Sequence, residues 1–211
     1  MNPITENNIE TFAIEILNKL GWQNVHGLSI APGAECAERE SFGQIILTQR
    51  LRKAVARLNR DIPTDAQEQA VQKVLRIYSP DMLHNNETFH QFLVEKVKIP
   101  YQQDGYERSY EVALIDFSNP SNNEFLVVNQ YTIIENNQNK RPDLLLFING
   151  IPIVLIELKN AADENATVRK AFDQIQTYKA TIPGLFTYNP SSSDSNQYPY
   201  RSSTLCLKIC S

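Results

Sequence analysis

The sequence predicts an α/β fold in which a mixed β-sheet is flanked by helices. Two apolar runs, residues 144–148 and 153–158, stand either side of Asn149-Gly150. Runs apolar at successive positions belong in the middle of a sheet covered on both faces. Helical spacing dominates before Val97 and returns after Ala166, whereas the stretch between has the period of strands. At 211 residues with 42% apolar content, the chain can fill one good-sized core or two small ones.

Residues 5–20 carry Ile9, Phe12, Ala13, Ile16, Leu17 and Leu20 at helical spacing, with Thr5 as N-cap and Gly21 where a left-handed residue ends a helix. Glu6, Glu10 and Glu15 fall off that stripe and read as a solvated face; a sharper role for Glu10 is as outer ligand of a metal site. Residues 22–41 hold turn formers and little period, and read as loop. A helix is expected over 43–58, with Ile46, Leu51, Val55 and Leu58 inward. Arg50, Arg52, Lys53 and Arg57 give it a basic side, followed by Arg60, and such a run is more often solvated than a binding surface. Thr64 followed by Gln67 is a capping-box pattern opening a helix to about Tyr78. A short helix over 87–94 follows the Ser79-Pro80 break. His84 and His90 suit no common zinc spacing and read as ordinary surface or packing residues.

Strands are expected at 99–101, 111–117 and 125–134, with a turn at 118–123. After the apolar hairpin, residues 166–182 read as a helix with Val168, Phe172, Ile175 and Ile182 on the buried side. Lys170, Gln174 and Tyr178 stand at successive i, i+4 positions and form one polar line, and Pro183-Gly184 ends the helix. Residues 190–202 are Ser-, Asn- and Tyr-rich and read as loose chain, with 205–209 a candidate last strand.

Composition narrows the function. A net charge of −4 is poor for gripping DNA unaided. Cys36, Cys206 and Cys210 form no metal-finger spacing, and their odd number speaks against a disulfide framework, so the cytoplasm is the expected compartment. No charged-then-apolar leader and no long apolar run suggests export or membrane insertion.

Chemistry concentrates at the ends of the hairpin. Asp143 enters the first strand, and Glu157 and Lys159 leave the second. Burying such groups unpaired is costly, and a bound cation would offset that cost. A two-residue Asn149-Gly150 loop pairs Ile148 with Ile151 and Asp143 with Ile156, which sends Glu157 and Lys159 to the face opposite Asp143. A three-residue loop with Gly150 in a G1 bulge pairs Phe147 with Ile151 instead. Asp143 then faces Leu155, with Glu157 as its diagonal neighbour and Lys159 next on the same face. A functional site therefore requires the bulged loop. Two carboxylates of this kind suit Mg²⁺ with water and phosphate completing its shell, and a lysine beside them can orient or deprotonate an attacking water. That set describes phosphodiester hydrolysis; the bland alternative is a structural ion-pair cluster.

The segment Pro142-Asp143…Glu157-Leu158-Lys159 resembles the PD-(D/E)XK nuclease signature. RPDLLLFINGIPIVLIELKN followed by AFDQIQTYKATIPGLFTYN resembles the N-terminal nuclease domain of the restriction (R) subunit of type I restriction–modification enzymes. ERESFGQIILTQRLRKAVARLN, VALIDFSNPSNNEFLVVNQYTI and the opening TENNIE…LGW are similar to it as well, so the likeness runs from about Thr5 to Asn189. The resemblance implies a restriction-endonuclease-like fold over a nuclease domain at 1–189, with Mg²⁺-dependent cleavage of double-stranded DNA. It implies Asp143 and Glu157 as metal ligands, Lys159 as the catalytic lysine, and Gln174 and Tyr178 as a QxxxY motif beside the active site. It also implies methyltransferase and specificity subunits as partners, and ATP use by motor domains. None of the seven glycines begins a GxxxxGK[ST] phosphate loop, so this chain carries no such motor. Residues 190–211 diverge from the family and form a separate tail, for which an altered reading frame near Asn189 is one explanation. A non-catalytic docking or DNA-contact module and an inactive truncated remnant are the alternatives.

Overall fold

A computed structural model of the chain describes residues 5–160, 168–188 and 204–209. In chain order the elements are α1 (Glu6–Lys19), β1 (Gln23–His26), α2 (Thr48–Leu58), α3 (Thr64–Leu75), α4 (Met82–Val94), β2 (Val97–Gln103) and β3 (Tyr106–Val112). After a 3₁₀ turn at Pro120–Asn122 come β4 (Phe125–Asn129), β5 (Ile133–Glu135), β6 (Gln138–Lys140), β7 (Leu144–Ile148), β8 (Ile151–Asn160), α5 (Val168–Thr181), α6 (Gly184–Thr187) and β9 (Thr204–Ile209). Among the described residues the central sheet has the order β1-β4-β7-β8-β9. It is mixed: β1 runs parallel to β4, β4, β7 and β8 are antiparallel, and β9 lies parallel to β8. The candidate strand at 205–209 is thus present as β9. The pairs β2–β3 and β5–β6 form separate two-stranded ribbons.

The apolar runs are buried on both faces because alternate residues point opposite ways. Val127, Leu144, Leu146, Ile156 and Leu158 pack with Ile9 and Ala13 of α1. Leu126, Val128, Leu145, Phe147 and Leu155 face the larger core built from α2, α3 and α5 through Leu51, Val55, Val74, Ile175 and Ile182. Each such side chain contributes about 1.5–3 kcal/mol on burial.

Helix α1 begins as the sequence predicts, with a capping box between Thr5 and Asn8, and Gly21 follows it at φ +92°. Its apolar stripe is narrower than expected: Phe12, Ile16 and Leu20 are 51%, 41% and 70% exposed. The helix meets the sheet along the Ile9–Ala13 line, with Ile14 and Leu17 packed partly buried beside it. Strand β1 was expected as loop, since an edge strand of four mostly exposed residues has no apolar alternation to reveal it. Helix α2 starts at Thr48 rather than 43 because Ile45, Ile46 and Leu47 are all buried. Three consecutive inward residues suit extended chain, and the Leu47 N–H donates to the Gly150 carbonyl. At α3 the expected capping box is absent: Pro63 is the N-cap, and the Gln67 amide turns inward to the carbonyls of Asn59 and Ile62. Helix α4 opens earlier than expected, at Met82, capped by the Asp81 carboxylate. Strand β3 ends at Val112, and the expected strand over 125–134 breaks after Asn129, where Gln130 adopts φ +57°. On α5, Ala171, Ile175, Tyr178 and Ile182 face inward, but Phe172 is half exposed. Position 166 and the Val168 side chain lie outside the described residues, and Pro183-Gly184 leads into α6.

The hairpin departs from expectation in an informative way. Ile148 pairs with Ile151, so the loop is the two-residue Asn149-Gly150 turn, with φ +53° and +80°. Positive φ at both positions is the primed turn that Asn-Gly favours. The bulge is not at Gly150 but inside β8: Phe147 pairs with Pro152 and Leu146 with Val154, leaving Ile153 as the extra residue. A proline cannot donate to the ladder, so within a sheet it belongs at such an irregularity. Beyond the bulge Leu144 faces Ile156, and the next step sets Asp143 opposite Glu157 rather than Leu155. One displaced bulge thus restores the common face that the two-residue turn alone would destroy.

Candidate active site

Asp143 stands at the mouth of β7, where its backbone carbonyl accepts from the Gln130 N–H at 3.1 Å. Its carboxylate Oδ2 accepts from the backbone N–H of Leu158 at 2.7 Å, tying it across the hairpin to β8. Glu157, on β8, is only 1% exposed. Its Oε2 accepts from the Tyr178 hydroxyl at 3.3 Å, and Gln174 Nε2 donates to that same hydroxyl oxygen at 2.7 Å. Gln174 and Tyr178 of the i, i+4 line on α5 therefore face the end of the hairpin. Burial drives the Tyr178 phenol well above its ordinary pKa, and the charges of Glu157 and Asp143 push in the same direction. The phenol stays protonated, so it can donate to Glu157.

A third carboxylate approaches from α1. Glu10 accepts from Asn129 Nδ2 at 2.8 Å and from Gln130 Nε2 at 2.7 Å. Asn129 Oδ1 in turn accepts from Asn24 Nδ2 of β1 at 3.4 Å. Glu10, Gln130, Arg141 and Asp143 line one cleft of about 280 Å³, with Asn7 and Leu158 completing it.

Of the residues singled out in the sequence, the structure gathers Asp143, Glu157, Gln174 and Tyr178, and brings Glu10 to the cleft that Asp143 lines. The backbone of Lys159 continues β8 two residues past Glu157, on the same face by alternation; its side chain lies outside the described residues. Asn129 and Gln130 were missed. Their signal is two adjacent amides closing the apolar run Phe125–Asn129, where a plain strand end has no need of them. Among the described residues, no group of three or more His, Cys, Asp or Glu is arranged to hold a metal. The expected site offers two carboxylates, with Glu10 across the cleft.

The basic side of α2 is engaged within the molecule. Arg50 binds Glu38 and Glu124, and Arg52 binds Glu68. Arg57 donates to the Asn122 carbonyl and Asn149 Oδ1. No helix among the described residues is long and apolar enough to cross a membrane.

The family of the type I restriction enzyme R protein N terminus matches residues 3–205. The chain is 35% identical over 187 residues to the type I restriction enzyme HindI endonuclease subunit of Haemophilus influenzae, covering 88% of this chain and 18% of that protein. It is 36% identical over 183 residues to the putative type I restriction enzyme MjaIXP endonuclease subunit of Methanocaldococcus jannaschii, covering 85% and 17%. The chain spans less than a fifth of the length of these relatives. The mixed sheet between helices is the restriction-endonuclease-like fold expected of such a match, and the matched span contains every residue of the site described above. The chain belongs to the type I restriction enzyme R protein N-terminus family.

Proposed function

We propose that this chain is a nuclease module that hydrolyses DNA phosphodiester bonds with a divalent cation, Mg²⁺ being the natural choice. The observation that carries the reading is the β7–β8 register, which pairs Leu144 with Ile156 and, continued by one step, puts Asp143 and Glu157 on one face. Their donor set fits the ion: oxygen only, from two carboxylates, one of them 1% exposed. Asp143 and Glu157 would hold Mg²⁺, which when bound polarises a phosphate and acidifies a coordinated water. Lys159 neutralises charge on the phosphate and orients the attacking water. The Tyr178 hydroxyl, itself held by Gln174, fixes the Glu157 carboxylate from behind. Glu10 faces the cleft as an outer ligand.

The substrate on this reading is double-stranded DNA, handled within a cytoplasmic complex that includes methyltransferase and specificity subunits. ATP-using motor segments correspond to parts of the longer relatives not matched here. The nuclease module is centred on residues 1–189, and the divergent segment 190–211 adds β9 to its central sheet. The chain's charge of −4 and the internal engagement of Arg50, Arg52 and Arg57 support the reading that those partners supply DNA affinity. The test is plasmid cleavage at low salt with the chain in excess over DNA. Slow, Mg²⁺-dependent nicking that disappears in both Asp143→Ala and Lys159→Ala supports the reading. Equal nicking by wild type and variants overturns it.

A further inference from the structure

Glu10 could cross its cleft in many ways, because a half-buried glutamate on a helix has several rotamers of similar energy. Two amides remove that freedom. Asn129 Nδ2 donates to Oε1 and Gln130 Nε2 to Oε2, at 2.8 and 2.7 Å. Each carboxylate oxygen has a second lone pair, so one acceptor site per oxygen remains for a water or a cation. The amides are themselves fixed. Asn129 is buried, and its Oδ1 accepts from Asn24 Nδ2 on the neighbouring strand. Gln130 closes β4 in the left-handed conformation, φ +57°, which a residue of its type adopts only under constraint.

The constraint is visible. The Gly27 N–H donates to the Asn129 carbonyl at 2.8 Å. A Cβ on Gly27 would stand 2.5 Å from the Gln130 carbonyl oxygen and 2.9 Å from the Tyr131 Cα. The exit of β1 therefore lies directly against the Gln130 backbone. On its other side the Gln130 N–H donates to the carbonyl of Asp143. One residue thus bonds both acidic residues of the cleft, the Asp143 backbone carbonyl through its own N–H and the Glu10 carboxylate through its side chain.

We infer that Gln130 is a positioning residue that, with Asn129, holds the Glu10 carboxylate toward the cation site at Asp143 and Glu157. The inference rests on the cation site proposed above. It adds that the site's third carboxylate acts only when this amide clamp is closed, and that strained backbone at 130 is retained for that purpose. Outer partners of this kind change metal affinity by about 10–100-fold when removed.

The experiment is calorimetric titration of the chain with Mn²⁺, beside thermal unfolding of the same samples. Gln130→Asn is the informative variant, because asparagine tolerates the left-handed region while its shorter side chain withdraws the amide from Glu10. Mn²⁺ affinity is expected to fall about 10-fold or more with the unfolding temperature held. Glu10→Gln is expected to produce a similar fall, and the double variant no further loss, because both changes break one clamp. Additive losses would show that Gln130 acts independently of Glu10, and would overturn the inference. Binding that is lost in Asp143→Ala but unchanged in Gln130→Asn overturns the clamp and leaves the cation site standing. No Mn²⁺ binding in wild type, or binding that Asp143→Ala leaves intact, overturns the cation site and the clamp together.

Discussion

Replacing Asn149 by alanine should destabilise the chain by about 4 kcal/mol, and the estimate follows from what that side chain holds. Asn149 is fully buried in the turn between β7 and β8. Its Nδ2 donates to the Leu114 carbonyl and to Asn123 Oδ1, both at 2.9 Å. Its Oδ1 accepts from the Glu124 N–H at 2.9 Å and from Arg57 Nη2 at 3.1 Å. Alanine leaves the Leu114 carbonyl and the Glu124 N–H without these partners, at about 1–3 kcal/mol each. Asn123 and Arg57 lose less, since Asn123 Oδ1 still accepts from the Asp116 N–H and Arg57 still reaches the Asn122 carbonyl. The φ of +53° adds about 1 kcal/mol for a residue that lacks the local hydrogen bonding of asparagine. In urea, where a chain of this size has a slope of about 2 kcal/mol per molar, the midpoint should move down by about 2 M at unchanged slope. Asn149→Gly should recover about 1 kcal/mol of that loss, because it removes the same bonds without backbone strain. An alanine variant within about 1 kcal/mol of wild type would refute the reasoning, since single lost surface bonds lie in that range.

Two further outcomes are expected. Burial raises the phenol pKa of Tyr131, Tyr178 and Tyr188, the last up to about 12, against about 10 in the unfolded chain. The unfolded state therefore loses these protons first, so the contribution to stability is whole below pH 10 and shrinks above it, at a limiting slope of about 1.4 kcal/mol per pH unit per tyrosine. Urea midpoints at pH 9 and 11 check this; a Tyr131→Phe slope equal to wild type would contradict it. Gly27→Ala should destabilise by about 1–3 kcal/mol, because its methyl has only backbone of Gln130 and Tyr131 to displace; an unchanged melting temperature would show that β1 yields there.

Much of this arrangement was legible in the residues. The apolar runs either side of Asn149-Gly150 marked the central hairpin because burial on both faces leaves no other pattern. Gln174 and Tyr178 were legible as one face of a helix because their spacing is that of a helical turn. The position of the bulge was not. Both candidate registers satisfied the apolar pattern, and the deciding fact, that Pro152 cannot donate within the ladder, was present in the sequence and unused. The basic side of α2 was read as solvated, and Lys53, Arg57 and Arg60 are exposed, but the ion pairs of Arg50 and Arg52 were not legible because only the fold brings Glu38, Glu124 and Glu68 to them. Gln130 was hidden for the same reason: its backbone lies against Gly27, more than 100 residues earlier in the chain.

The most direct measurement is the location of a divalent ion by anomalous scattering from crystals of the chain equilibrated with Mn²⁺. The account predicts a peak between the carboxylates of Asp143 and Glu157, within about 2–2.3 Å of an oxygen from each, and its disappearance in Asp143→Ala. A well-ordered Asp143–Glu157 pair with no ion at saturating Mn²⁺, or an ion bound elsewhere and indifferent to Asp143, would contradict the nuclease site.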